Sequence, residues 1–172
     1  MNSNKLLDVG SERAVLAGLM QYGVDVYVRI SDLVTSDSFV NTNNQAIYKC
    51  LEDIILEEKS VDIASLLASA EKLNLIETIS TKQEIKYIKS LFDFPVNQDN
   101  IIKFAAQLKK FEFARKIKKL SLKVHKDIDK IDGSETIDEI IGLSDPANDM
   151  NAYYGAGKSK HFRHRKLDLP AP

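Results

Sequence analysis

With 172 residues, 44% of them hydrophobic and 28% charged, the chain can bury one core and is too apolar to be an intrinsically disordered segment. No apolar run approaches the ~20 residues needed to cross a bilayer, and Met1-Asn-Ser-Asn-Lys5 has no signal-peptide core, so a cytoplasmic protein is expected. A single cysteine excludes an internal disulfide framework, and seven glycines with four prolines favour helix. The net charge of −1 hides segregation: residues 109–126 hold eight Lys/Arg against one acid (Glu112), 127–149 hold eight acids against one base (Lys130), and 158–166 hold five bases and no acid. Such patterning speaks about partners rather than fold.

Helical spacing accounts for nearly the whole chain. Ser11 is placed to cap a first helix, with Val15, Leu16, Leu19 and Met20 on one face and Gly23 as its stop. The only period-2 stretch, Val24–Ile30, has no partner strand, and a helix over about 25–33 burying Val26, Ile30 and Leu33 fits it better. Thr35-Ser-Asp-Ser-Phe39 reads as a capped turn that plants Phe39 in the core. Asn41 to Asn44 supply caps for a helix to Glu58 carrying Ile47, Cys50, Leu51, Ile54 and Ile55. Asp62 caps the next, with Ile63, Leu66, Leu67 and Ala70 as its stripe. Thr81-Lys-Gln-Glu84 has the form of a capping box and opens a helix with Ile85, Ile88, Leu91 and Phe92, which Phe94-Pro95 breaks.

From Gln98 to Ile131 there is no breaker, which predicts one helix of roughly 50 Å. Its first part is apolar over a wide arc (Ile101, Ile102, Phe104, Ala105, Leu108, Phe111, Phe113), and its later part narrows to a seam of Ile117, Leu120, Val124, Ile128 and Ile131 flanked by lysines. A wide arc implies burial in a globule and a narrow seam implies contact with one or two helices. Gly133 ends this helix. Thr136-Ile-Asp-Glu139 is a second capping box and opens a short return helix with Ile137, Ile140, Ile141 and Leu143. The expected fold class is all-α: a compact helical globule over 1–96, a projecting helical hairpin over 97–145, and a linker or tail over 146–172.

Signals for chemistry are weak. Gly155-Ala-Gly-Lys-Ser159 looks like the end of a phosphate-binding loop, but no buried strand precedes it, and it reads as a glycine turn in the tail. His161 and His164 lack companions of the right charge for a metal, Cys50 sits on an apolar face as a core residue, and His125 lies on a polar face. Catalytic, cofactor and metal residues are therefore expected to be absent. The basic run offers Lys116, Lys118, Lys119 and Lys123 as possible nucleic-acid contacts. Charge complementarity between the basic first arm and the acidic return arm, within a hairpin or between protomers, is the favoured reading, since no aromatic follows Phe113 to stack on bases; the alternative is a stand-alone nucleic-acid-binding adaptor using the basic helix 109–126 and the basic tail.

Taken in order, these segments resemble the N-terminal domain of the DnaB-type replicative helicases. Ser11-Glu-Arg-Ala-Val-Leu-Ala-Gly-Leu-Met20 is similar to the family's opening helix, Leu33-to-Phe39 to its Leu…Phe step, and Ala46-Ile47-Tyr48 to the following helix. Val61-Asp-Ile63-Ala-Ser-Leu66 is similar to the Pro-Ile-Asp step, with Ser60 where the family has proline. Asn100-to-Phe104 is similar to the segment opening the hairpin, and Ser80-Thr-Lys stands where a Gly-Gly turn is usual. The resemblance spans about 11–145 and does not include the RecA-like ATPase domain. It implies a non-catalytic scaffold that forms homo-oligomers from dimer to hexamer, a collar that docks primase and in some cases a loader. DNA contact would belong mainly to the motor domain. The interface candidates on the first arm are Phe104, Leu108, Phe111, Ile117, Leu120 and Val124; on the return arm they are Ile137, Ile140 and Ile141.

Overall fold

The computed structural model describes residues 6–144. Among these residues there are eight α-helices and no strand, so the fold is all-α. The chain divides into two compact units, with the boundary between Arg115 and Lys116.

In the first unit α1 (Val9–Tyr22) is the central helix, with Ser11, Glu12 and Ala14 through Met20 all buried. A helix apolar nearly all round has to be surrounded, and α1 packs on α2 (Val24–Ile30), α3 (Thr42–Leu56) and α6 (Lys82–Phe92). Its cap is Asp8 rather than Ser11: Asp8 Oδ1 accepts from Ser11 N at 2.9 Å and Oδ2 from Ser11 Oγ at 2.7 Å. A carboxylate at a helix N-terminus gains from the dipole as well as the hydrogen bond, which moves the start three residues upstream. Gly23, with φ 54°, ends α1 as expected.

The expected turn is a 3₁₀ turn over Ser36–Ser38, and it drives Phe39 against Tyr48 with ring centroids 5.2 Å apart. Asn41 caps α3 through Asn43 N and Asn44 N, and Asp62 caps α4 (Ile63–Lys72) through Ser65 N. Leu66 and Ala70 are buried on α4, Ile63 and Leu67 only partly. A four-residue helix, α5 (Ile76–Ile79), seals the core with Ile79; the sequence pattern gave no sign of it. Thr81 caps α6 by accepting from Glu84 N at 3.2 Å.

Three α1 side chains strap the link that follows α6. The Arg13 guanidinium lies 4.7 Å from the Phe94 ring centroid and donates to Ser90 Oγ. Gln21 Nε2 donates to the carbonyls of Leu91 and Phe94, and the Tyr22 hydroxyl donates to that of Val96. This fixes where the next helix, α7 (Gln98–Ile128, 31 residues), begins, with Asn97 Oδ1 capping it through Asp99 N. Its end falls three residues before the expected Ile131.

The described part of the second unit holds the last turns of α7, a turn through Gly133 (φ 93°) and α8 (Ile137–Leu143). Thr136 and Glu139 form both halves of the expected capping box. The tail motifs, Gly155–Ser159, His161 and His164, lie outside the described residues.

Candidate functional site

The fold's most consequential feature is how α7 is secured in the first unit. Ile101, Ala105 and Leu108, one helical stripe, are buried in the core. Gly18 makes room for Ile101: a Cβ there would lie 2.3 Å from Ile101 Cδ1. Beyond Leu108 the fastening turns polar. The buried Glu112 accepts from Ser38 Oγ at 2.7 Å, with Lys109 Nζ 3.7 Å away. Arg115 donates to the carbonyls of Leu6 (2.9 Å), Asp37 (3.1 Å) and Ser38 (3.0 Å). Glu12, buried on α1, holds the other side of the same turn, accepting from Val40 N and Asn44 Nδ2, each at 2.7 Å. Buried polar groups persist where each has such partners.

Glu112 and Arg115, members of the charged run 109–126 in the sequence, are fasteners of the 36–40 turn. A lone acid among eight bases was the available signal. Glu12 within an apolar helix was another.

The expected interface residues separate into two groups. Leu108 belongs to the core, and Phe104 packs on it from a half-buried position. Phe111 is half-buried. In the second unit Leu120 is buried, Val124 and Ile140 are half-buried, and the remainder are open: Ile117 53%, Ile137 76% and Ile141 61% exposed, with the seam residue Ile128 at 48%. Lys118, Lys119 and Lys123 are exposed and Lys116 is half-buried. Local pairs (Lys130 with Asp127, His125 with Asp129) link neighbouring turns.

Nothing among the described side chains assembles into a catalytic group. Cys50 is fully buried, and that burial pushes its thiol pKa up, away from reactivity. A depression of about 390 Å³ beside α3 and α4 gathers Asp53, Glu57, Lys59 and Lys72, but its charges are spent on each other. Lys72 Nζ lies 2.6 Å from both Asp53 and Glu57, and its hydrogen bond is the main reason the Asp53 pKa lies below the ordinary carboxylate value. No group of His, Cys, Asp and Glu fit to hold a metal occurs among the described residues. No helix there is long and apolar enough to cross a membrane.

The family model described as the DnaB-like helicase N terminal domain matches residues 4–110. Among solved structures the chain is similar to the crystal structure of the N-terminal domain of DnaB helicase from Mycobacterium tuberculosis, with a TM-score of 0.67 at 15% identity, covering 86% of this chain and 97% of that one. At that identity the likeness is one of fold. No curated protein matches the sequence.

Proposed function

The chain belongs to the DnaB-like helicase N-terminal domain family, and on that premise we propose that it is the non-catalytic scaffold of a hexameric replicative helicase in the cytoplasm. Its task is to bring protomers together into a collar and to dock primase or a loader. DNA unwinding is assigned to the ATPase motor of such a helicase.

The observation that supports assembly most directly is where the open apolar side chains lie. Ile117, Ile128, Ile137 and Ile141 fall within 25 positions of one another and are each about half exposed or more, four of the ten large exposed hydrophobics among the described residues. Full burial of such a side chain is worth about 1.5–3 kcal/mol. Covering even part of several of them supplies a driving force for association, and clustered exposed apolar groups mark interaction sites.

Sedimentation velocity over a range of concentrations tests the assembly reading. The wild-type chain is expected to show dimers or larger species, and Ile117→Glu with Ile137→Glu to return it to monomer with unchanged circular dichroism. A wild type that stays monomeric throughout overturns assembly. Co-sedimentation with the cognate primase tests docking, and a failure to co-sediment removes that part alone.

A further inference from the structure

We propose that the lysine face of α7 beyond Arg115 is a second, separate interaction surface, one that binds the phosphate backbone of nucleic acid without reading its sequence. From Lys116 to Lys126 the chain has five lysines and no acid. At about 100° per residue, Lys119, Lys123 and Lys126 lie within roughly 60° of one another, spread over about 10 Å of helix axis. All three are exposed, as is Lys118, about 80° further round the helix. The apolar positions Ile117, Leu120, Val124 and Ile128 centre about 140° away round the same helix. A partner seated on those apolar residues would therefore leave the lysines uncovered, and the two surfaces are free to serve different partners.

The composition of the lysine face decides what kind of partner suits it. A protein interface is a poor fit, because lysine is depleted there and the anchors are aromatics and arginine; Leu122 is the single large apolar side chain on this side. No aromatic stands on the face either, so bases have nothing to stack on. What remains is charge neutralisation of phosphates, which is indifferent to sequence.

The test is fluorescence anisotropy of the full chain with fluorescein-labelled DNA of mixed sequence, as a 20-base single strand and a 20-base-pair duplex. Both are expected to bind at 50 mM NaCl. With three to four phosphates neutralised, duplex affinity should fall about 40- to 150-fold between 50 and 200 mM. Lys119→Glu/Lys123→Glu/Lys126→Glu is expected to weaken duplex binding at 50 mM by at least about tenfold, and Lys119→Gln/Lys126→Gln to an intermediate extent, which guards against a folding defect in the triple variant. Ile117→Glu should change sedimentation and leave DNA binding alone, so this surface and the assembly reading fail separately. Absence of binding at 50 mM, or binding untouched by the triple reversal, overturns the proposal. So does a triple reversal that alters only sedimentation, which would assign the lysines to an acidic segment of a second copy.

Discussion

Gly18→Ala is the sharpest test of how α7 is seated. In an unconstrained helix interior the change would stabilise by about 0.8–1 kcal/mol. Here the new Cβ would stand 2.3 Å from Ile101 Cδ1, 2.9 Å from Cγ1 and 3.3 Å from Cγ2. Ile101 is fully buried, and a β-branched side chain has few rotamers to retreat to. Overpacking of this kind costs about 1–3 kcal/mol, so a net loss is expected. Ile101→Val removes the nearest atom and by itself costs about 0.5–1.5 kcal/mol. The double variant should therefore be more stable than the sum of the single changes implies, by at least about 0.5 kcal/mol. Urea unfolding of the four chains measures this. A more stable Gly18→Ala, or strict additivity, would show that α1 and α7 do not touch as described.

The polar fasteners give a second cycle: Glu112→Ala should cost about 1–3 kcal/mol by leaving Ser38 without its acceptor, and Ser38→Ala in the same chain should recover part of it, read by thermal melts. Glu58 has φ 56° at the end of α3, a conformation costly for a side chain with a Cβ; Glu58→Gly should stabilise by up to about 1 kcal/mol, and a loss in urea unfolding would refute the strain. Lys72→Met should destabilise at pH 7. Because the folded-state pKa of Asp53 is lowered, its contribution is complete above the ordinary carboxylate value and fades as pH falls through the lowered one, so the gap between wild type and variant should close on acidification below about pH 4. A gap that persists at pH 2 would exclude this pairing as the cause.

What was legible in the sequence was short-range. Asn41, Asp62, Thr81 and Thr136 each cap a helix through amides two or three residues ahead, so type and spacing suffice. The misplaced first cap is the same physics with two candidates, Asp8 and Ser11, three residues apart. Periodicity cannot reveal α5, because four residues complete barely one turn. The polar fasteners were invisible for another reason: Ser38 and Glu112 are 74 positions apart, and Leu6 and Arg115 are 109 apart. No local pattern announces a pair that only the fold creates. Wide apolar arc and narrow seam were both readable on α7, but which seam residues stay open was not, since Leu120 is buried while Ile117, one turn earlier, is exposed.

One helix thus does two jobs, and matched substitutions separate them. Leu108 and Ile117 are both apolar positions of α7, nine residues apart in sequence, and composition treats them alike. Leu108 is buried in the core, so Leu108→Glu would bury a carboxylate in an apolar cluster. Such a charge costs several kcal/mol or forces the helix out of place, which is a large share of the 5–15 kcal/mol that holds a domain together. Ile117 is half open, and Ile117→Glu puts its carboxylate in water beside Lys116 and Lys118, at little cost to the fold. Leu108→Glu should therefore lose the cooperative thermal transition, whereas Ile117→Glu should keep it and weaken self-association. If both variants melt alike, or if Ile117→Glu unfolds the chain, α7 does not change roles after Arg115.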